Sequence, residues 1–363
     1  MRITFVLPGY PWKPVGGFRV VYEYANRLVA RGHEVIIVHS RRLPNWNPPP
    51  PNFYYWLRRK AGYLRNLIFK PTVRWQPIDP RVRMLYVPEP TEKYVPDGDV
   101  IFATAWQTAE YVAEYPLTKG KKFYLVQDFG AYFGPKTRLE DTWRKPFKKV
   151  VISSWLYKQL LEIGVPQEDV ALIPNGIDLQ RFRLIEDIER RPKRVAMMYS
   201  NASYKAPEDG VKALEICKAK HKDLAAVCFG PGRRPRSLPS WIEYNSNIPE
   251  DELIKKIYNG SRIFLSSSIA EGFAMPPAEA MACGCAVVAT DSGGIREYAE
   301  HEKTALLSPP RDPEALTKNL LRLLEDDDLR IQLAKAGHKR IQEFTWDRST
   351  DLLEQFLIQH VRI

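Results

Sequence analysis

Ser261-Arg-Ile-Phe-Leu-Ser266, then Glu271-Gly-Phe-Ala-Met-Pro-Pro-Ala-Glu279-Ala-Met-Ala-Cys-Gly284, then Cys285-Ala-Val-Val-Ala-Thr290: this stretch decides the fold. The first run is apolar and reads as a strand. A loop carrying Glu271 follows. Pro276 and Pro277 then open a helix, where a fixed φ is useful and a missing N–H costs little. Gly284 is placed to end that helix as its C′ residue, and the last run is a second strand. Glu279 is expected in the first turn of the helix, whose N-terminus offers N–H groups and partial positive charge to an anion such as a phosphate. Two readings stand on these residues alone. Either Glu279 complements the helix dipole and Glu271 is a solvated loop acid, or the two carboxylates serve a ligand.

The same alternation extends in both directions. Towards the N-terminus, Ile3–Pro8 is a strand, Phe18–Ala30 a helix with Val20, Val21, Tyr24 and Leu28 at helical spacing, and His33–His39 a strand. The loop between the first strand and helix holds Gly16-Gly17, which is not the G-x-G-x-x-G fingerprint of dinucleotide sites. These glycines either make the turn or let a phosphate or sugar approach the backbone. Asp97-Gly-Asp99 precedes an apolar strand and reads as its entry turn rather than a metal motif. Lys121–Gln127 is a strand ending beside Asp128, at the strand end where open α/β sheets bind ligands, although Asp128 also suits a turn cap. Further strands start at Lys149 and Val170. A charged run at Asp187–Lys193 breaks the pattern and reads as a boundary between domains. A second βα series starts at Arg194 and includes the loop bearing Lys205, the basic loop 230–236 and the turn at Asn247-Ile248. Both halves are expected to be doubly wound α/β domains with parallel sheets and ligands between them.

Composition narrows the class. At 363 residues the chain is long enough for two domains. No run reaches the roughly 20 apolar residues needed to span a bilayer, and the N-terminus lacks a secretory h-region, so a cytoplasmic protein is expected. The four cysteines (Cys217, Cys228, Cys283 and Cys285) form no C-x-x-C and read as buried thiols. The formal charge of +11 points to an anionic partner. Basic and aromatic residues interleave over 53–75, which suits either an anionic membrane surface, at the inner face of the membrane, or an ordinary inserted helix. No nucleic-acid motif accompanies the charge, and nucleic acid is not expected as a partner.

Three segments together resemble retaining glycosyltransferases of the GT-B fold, in glycosyltransferase family 4. Ile173-Pro-Asn-Gly-Ile-Asp178 with Phe182 is similar to the family's inter-domain crossing signature. Glu271 and Glu279, with seven residues between, match its E-x7-E motif, and Ser292-Gly-Gly-x-x-Glu297 matches the glycine pair and Glu that follow. The resemblance implies two Rossmann-like domains facing a central cleft, with the boundary at 172/173 rather than in the charged run. Residues 1–172 would be the acceptor side, 173–345 the donor side, and the helix 346–363 would pack back on the first domain.

The resemblance also implies roles. Glu279 would bind the ribose of a nucleoside diphosphate sugar. Glu271 and the N–H groups of Phe273, Ala274 and Met275 would hold the sugar and diphosphate, and Gly16 and Gly17 would approach the diphosphate. Lys205 would stabilise the leaving group, Asn247 and Ile248 would lie where the base is read, and Asp128 would orient the acceptor or the sugar. The donor is a substrate; no cofactor and no metal are implied. The acceptor would be a glycan or lipid-linked glycan in cell-surface polysaccharide synthesis. The chain departs from the family pattern in two places. Ser200-Asn201 stands where a diphosphate-binding Arg is usual, with Arg233 or a neighbouring base as a substitute. Gln127 stands where a His is usual, as in a branch associated with rhamnose-containing polysaccharides. These departures keep open a catalytically weak scaffold that binds nucleotide sugars in a glycan assembly complex.

Overall fold

The computed structural model describes residues 1–10, 13–44, 73–127 and 134–361. The chain forms two compact units: Met1–Ile152, Tyr157–Ile173 and Asp347–Ile363 make the first, and Ser153–Leu156 with Pro174–Trp346 make the second.

Among the described residues, the first unit is built on a parallel sheet of seven strands: β1 (Arg2–Leu7), β2 (Glu34–Ser40), β3 (Arg83–Val87), β4 (Val100–Ala103), β5 (Lys121–Val126), β6 (Lys148–Val151) and β7 (Val170–Leu172), in the order β3-β2-β1-β4-β5-β6-β7. Central strands such as Val100-Ile-Phe-Ala103 are buried at every position, which is why they read as unbroken apolar runs rather than alternating ones. Phe5 stacks on Phe102 at 4.8 Å, and Phe102 meets Phe123 at 5.2 Å. Helix α1 (Gly16–Ala30) follows β1. The C-terminal helix (Trp346–His360) places Phe356 edge-on to Phe123 at 5.8 Å, and Arg31 and His33 both meet Glu354, at 2.8 and 2.7 Å.

The second unit repeats the plan with β8 (Arg194–Met198), β9 (Ala225–Gly230), β10 (Ile242–Ser246), β11 (Ile263–Ser266), β12 (Ala286–Thr290) and β13 (Leu306–Ser308), all parallel and ordered β10-β9-β8-β11-β12-β13. Each sheet therefore reverses its winding once: between β1 and β4 in the first unit, and between β8 and β11 in the second.

Several expectations are corrected. The charged run Asp187–Lys193 lies within the second unit and is no boundary. Arg191 is 2% exposed and donates to the carbonyls of Tyr258 (3.2 Å), Ser261 (3.2 Å) and Cys283 (2.5 Å). Composition marks an Arg as a surface residue, but its five donors can be satisfied by carbonyl oxygens inside a fold. Strand β3 carries only a weak sequence signal: it is an edge strand, mostly half-buried, that follows a proline-rich segment. The helix Lys136–Arg144 carries no clear sequence signal either, and the segment 250–259, whose apolar spacing suits an α-helix, is a single α turn followed by a π-turn, Leu253–Tyr258.

Asp97 and Asp99 form the entry turn to β4: Asp99 accepts from the Arg2 N–H at 2.6 Å, and Asp97 from Lys119 Nζ at 2.8 Å. This turn stands at the N-terminal end of its strand, away from the edge where such sheets bind ligands. The four cysteines are free and buried. No helix among the described residues is long and apolar enough to cross a membrane. Most of the basic aromatic stretch 53–75 lies outside the described residues, as does Asp128.

One pH response follows from the first unit. His39, the last residue but one of β2, is 1% exposed and packed between Phe18 and Tyr86, with Nδ1 2.8 Å from the Gly9 carbonyl oxygen. Burial pushes its pKa down from 6.5 to about 4. The unfolded chain takes up the proton more readily, so the stability His39 contributes is present above pH 6.5 and is lost as pH falls from 6.5 to about 4, on the order of 3 kcal/mol across that window. Thermal melts should show a wild-type decline over this window that is shallower in His39→Gln. Parallel slopes would contradict the assignment.

Candidate active site

Doubly wound sheets bind ligands outside the strand C-termini, where the winding reverses. In the second unit that point lies between β8 and β11. The loop after β8 carries Lys205, and the loop after β11 carries Glu271. The two side chains meet there, with Lys205 Nζ 2.5 Å from Glu271 Oε1 and the pair 15% and 13% exposed. The loops are tied together by backbone as well, since the N–H of Ile269 donates to the Tyr204 carbonyl at 2.7 Å. Glu271 is thus not a solvated loop acid.

The segment from Glu271 to the helix is fixed from below. Its N–H donates to Ser292 O at 2.8 Å, and its carbonyl accepts from the Gly294 N–H at 3.0 Å. A Cβ on Gly294 would sit 2.1 Å from the Gly272 oxygen, so only glycine allows this approach. Phe273 is buried against Tyr298 and Phe344. Ala274 takes a left-handed conformation, φ 65°, and its carbonyl accepts from the Tyr298 hydroxyl at 2.5 Å. Helix α2 runs from Met275 to Ala282. Among the described residues, none accepts a hydrogen bond from the N–H groups of Phe273, Ala274 or Met275. Pro276 and Pro277 have no N–H, so the donors at this helix end are concentrated in the three residues before them. The helix closes as expected: Gly284, φ 83°, and Cys285 bond back to the carbonyls of Met281 and Ala280, both at 2.9 Å.

Glu279 is the fifth residue of this helix, one turn later than expected, and is 6% exposed. Complementing the dipole from the first turn is therefore not its function. The Tyr258 hydroxyl donates to its Oε2 at 2.9 Å. Nothing in the local sequence marks Tyr258, which comes from a different element 21 residues earlier. Tyr298 was also missed, although it falls one residue after the Gly-Gly-x-x-Glu segment.

Asn247 follows β10 with φ 49°, and its carboxamide Oδ1 accepts from Gly232 at 3.4 Å; Ile248 beside it is half-buried. Arg234 is not available as a substitute for the missing Arg, because its guanidinium is occupied by the carbonyls of Leu238, Pro239 and Ile242. Arg233 is exposed.

In the first unit the winding reverses between β1 and β4, beside the start of α1. Gly16 and Gly17 open this helix without a positive φ, so the turn itself does not require glycine. A Cβ on Gly16 would meet nothing within 4 Å. A Cβ on Gly17 would meet the Gln127 carboxamide at 3.4 Å, so the open backbone is at Gly16. Gln127, at the end of β5, donates through Nε2 to the Gly17 carbonyl at 3.1 Å, and its buried Oε1 has no partner among the described residues.

Two family models match in succession: Glycosyltransferase Family 4 over residues 15–181 and Glycosyl transferases group 1 over residues 181–340. The chain belongs to the GT-B glycosyltransferases built from these two domains. Among relatives, D-inositol 3-phosphate glycosyltransferase of Jonesia denitrificans is 26% identical over 51% of this chain and 50% of its own length. The amylovoran biosynthesis glycosyltransferase AmsK of Erwinia amylovora is 26% identical over 52% and 50%. The chain thus spans about half the length of the curated relatives it matches. Two solved structures share the whole fold: Anabaena HepE in complex with UDP and glucose (TM-score 0.73, 14% identity, 99% of this chain and 100% of that chain) and S. aureus TarM with UDP and glycan ligands (TM-score 0.76, 9% identity, 98% and 99%).

Proposed function

We propose that the protein transfers a hexosyl or deoxyhexosyl group from a nucleoside diphosphate sugar to a hydroxyl of a glycan or lipid-linked acceptor, with retention, in the synthesis of a cell-surface polysaccharide. The observation that carries this reading is the convergence of Lys205, Glu271 and the unshared N–H groups of 273–275 at one switch point. A cation and aligned amides suit a diphosphate, and relatives in polysaccharide synthesis, together with fold neighbours holding UDP, support it.

In this reading the diphosphate lies at the start of α2, and Lys205 and the amides take up the charge that grows on the leaving phosphate. Preorganised electrostatics of this kind is usually the largest catalytic term. The acceptor attacks the face the phosphate leaves, and the leaving phosphate oxygen takes its proton. Neither Glu acts as a glycosidase nucleophile. Glu271, held by Lys205, receives sugar hydroxyls; Glu279 receives the ribose; Asn247 and Ile248 lie on the base side; Gly16 and Gly17 offer backbone to the diphosphate from the first unit; Asp128 orients acceptor or sugar. The charge on the leaving group is met by these residues, with no metal and no cofactor. The scaffold alternative retains the same donor site with little turnover.

The test is Glu279→Ala. Losing a hydrogen bond to a charged group costs about 1.5–3 kcal/mol, so donor KM should rise roughly 10- to 100-fold while kcat changes little. A folded variant with wild-type donor affinity would contradict the ribose assignment. Hydrolysis of donor in the absence of acceptor would separate an enzyme from a scaffold.

A further inference from the structure

We propose that Tyr258 is a positioning residue for Glu279, delivered by the π-turn Leu253–Tyr258, and that the two together set a preference for ribose over 2′-deoxyribose in the bound nucleotide. This rests on the reading of Glu279 as the ribose ligand.

Tyr258 is fully buried, and its hydroxyl donates to Glu279 Oε2 at 2.9 Å. The ring has no second place to go. It is walled by Phe182, Phe229 and Phe264, with centroids at 6.3, 5.8 and 5.7 Å. The backbone is held as firmly. The N–H of Asn259 donates to the Ile254 carbonyl at 3.0 Å, five residues back, which closes the π-turn. The Tyr258 carbonyl accepts from Arg191 Nη1 at 3.2 Å and from the Cys285 thiol at 3.0 Å. The buried Arg191, from the charged run that reads as a boundary, thus anchors the residue that holds the Glu279 carboxylate.

The π-turn is the element that aims Tyr258. A π-turn inserts one residue into the helical ladder and recurs at functional sites. Each helical residue turns the side chain by roughly 100°. An uninterrupted α-helix over 250–258 would therefore rotate Tyr258 away from Glu279 by about that angle. A carboxylate can accept several hydrogen bonds, so the hydroxyl at Oε2 fixes the carboxylate plane without exhausting its capacity. A carboxylate that receives a vicinal diol takes the 2′- and 3′-hydroxyls in one plane, so a carboxylate turned out of that plane gains less from the 2′-hydroxyl.

The test titrates UDP, GDP and ADP, and the 2′-deoxy counterpart of each, into wild type, Tyr258→Phe, Tyr258→His and Glu279→Gln by calorimetry. Wild type should bind at least one ribonucleotide about 10-fold more tightly than its deoxy counterpart, the scale of one hydrogen bond to a charged group. Tyr258→Phe keeps the aromatic packing and should reduce that ratio to about 3-fold or less, while Tyr258→His, which restores a donor, should recover part of it. An unchanged ratio in both Tyr258 variants overturns the proposal. So does an equal loss of affinity for both sugars, which is what a purely structural residue would give. A wild type that does not discriminate removes the ribose reading itself, and with it the proposal. Discrimination lost in Glu279→Gln but kept in Tyr258→Phe leaves that reading standing and removes only the positioning.

Discussion

Lys205→Ala is expected to lower kcat by about 100-fold or more, the scale of removing one preorganised donor from a developing charge. The ion pair with Glu271 adds a second consequence. The variant leaves a carboxylate that is 13% exposed without its partner, and an unpaired, largely buried charge destabilises the fold. Loss of turnover could then reflect a disturbed loop. In the double variant Lys205→Ala/Glu271→Gln the amide removes the orphaned charge, so its stability reports the ion-pair effect, while turnover is not restored because Glu271, in the proposed reaction, also serves the sugar. Its melting temperature should return towards wild type while kcat stays low. Recovery of kcat in the double variant, or unchanged turnover in Lys205→Ala, would take Lys205 out of leaving-group stabilisation. The comparison is a coupling measurement between two residues in contact, the setting where single substitutions do not add.

Gly294→Ala is expected to be strongly damaging for so conservative a change. The new methyl would lie 2.1 Å from the Gly272 oxygen, 2.3 Å from its carbonyl carbon and 2.6 Å from the Glu271 oxygen. All three are backbone atoms that no rotamer change can move aside. Overpacking of this kind costs about 3 kcal/mol, or roughly 6–12 °C in melting temperature for a unit of this size. Because the crowded atoms belong to the loop that carries Glu271, donor affinity should fall with stability. Gly16→Ala is the control: its Cβ meets nothing within 4 Å, and its melting temperature should match wild type. A Gly294→Ala protein that melts and binds as wild type does would show that the loop is not held as described.

The fold was largely legible because buried parallel strands announce themselves. Val100–Ala103 and Ala286–Thr290 are apolar at almost every position and separated by helical periods. What local pattern could not supply was strand order, which rests on pairings such as Ile263 with Val195, 68 residues apart. Strand order is nevertheless what locates the site, since it sets where the winding reverses. Lys205 and Glu271 were both legible as loop residues following strands, but their pairing across 66 residues was not. Tyr258 and Arg191 were hidden for a related reason. A Tyr in an amphipathic segment and an Arg in a charged run read as ordinary core and ordinary surface. Only tertiary packing turns them into supports for Glu279. The π-turn left no mark either, because Leu253–Tyr258 has the same apolar spacing as an α-helix.

The central claim is that the second unit binds a nucleoside diphosphate sugar at the β8–β11 switch point. The most direct measurement is a thermal-shift panel of UDP-, GDP-, ADP- and dTDP-sugars on wild type and Glu279→Ala, since a ligand that binds only the folded state stabilises it by about 2.7 kcal/mol at a hundred times its Kd. At least one nucleotide sugar should raise the wild-type melting temperature by several degrees, and Glu279→Ala should lose most of that shift. A panel in which no nucleotide sugar moves the wild-type transition, or in which Glu279→Ala responds as fully as wild type, would contradict it.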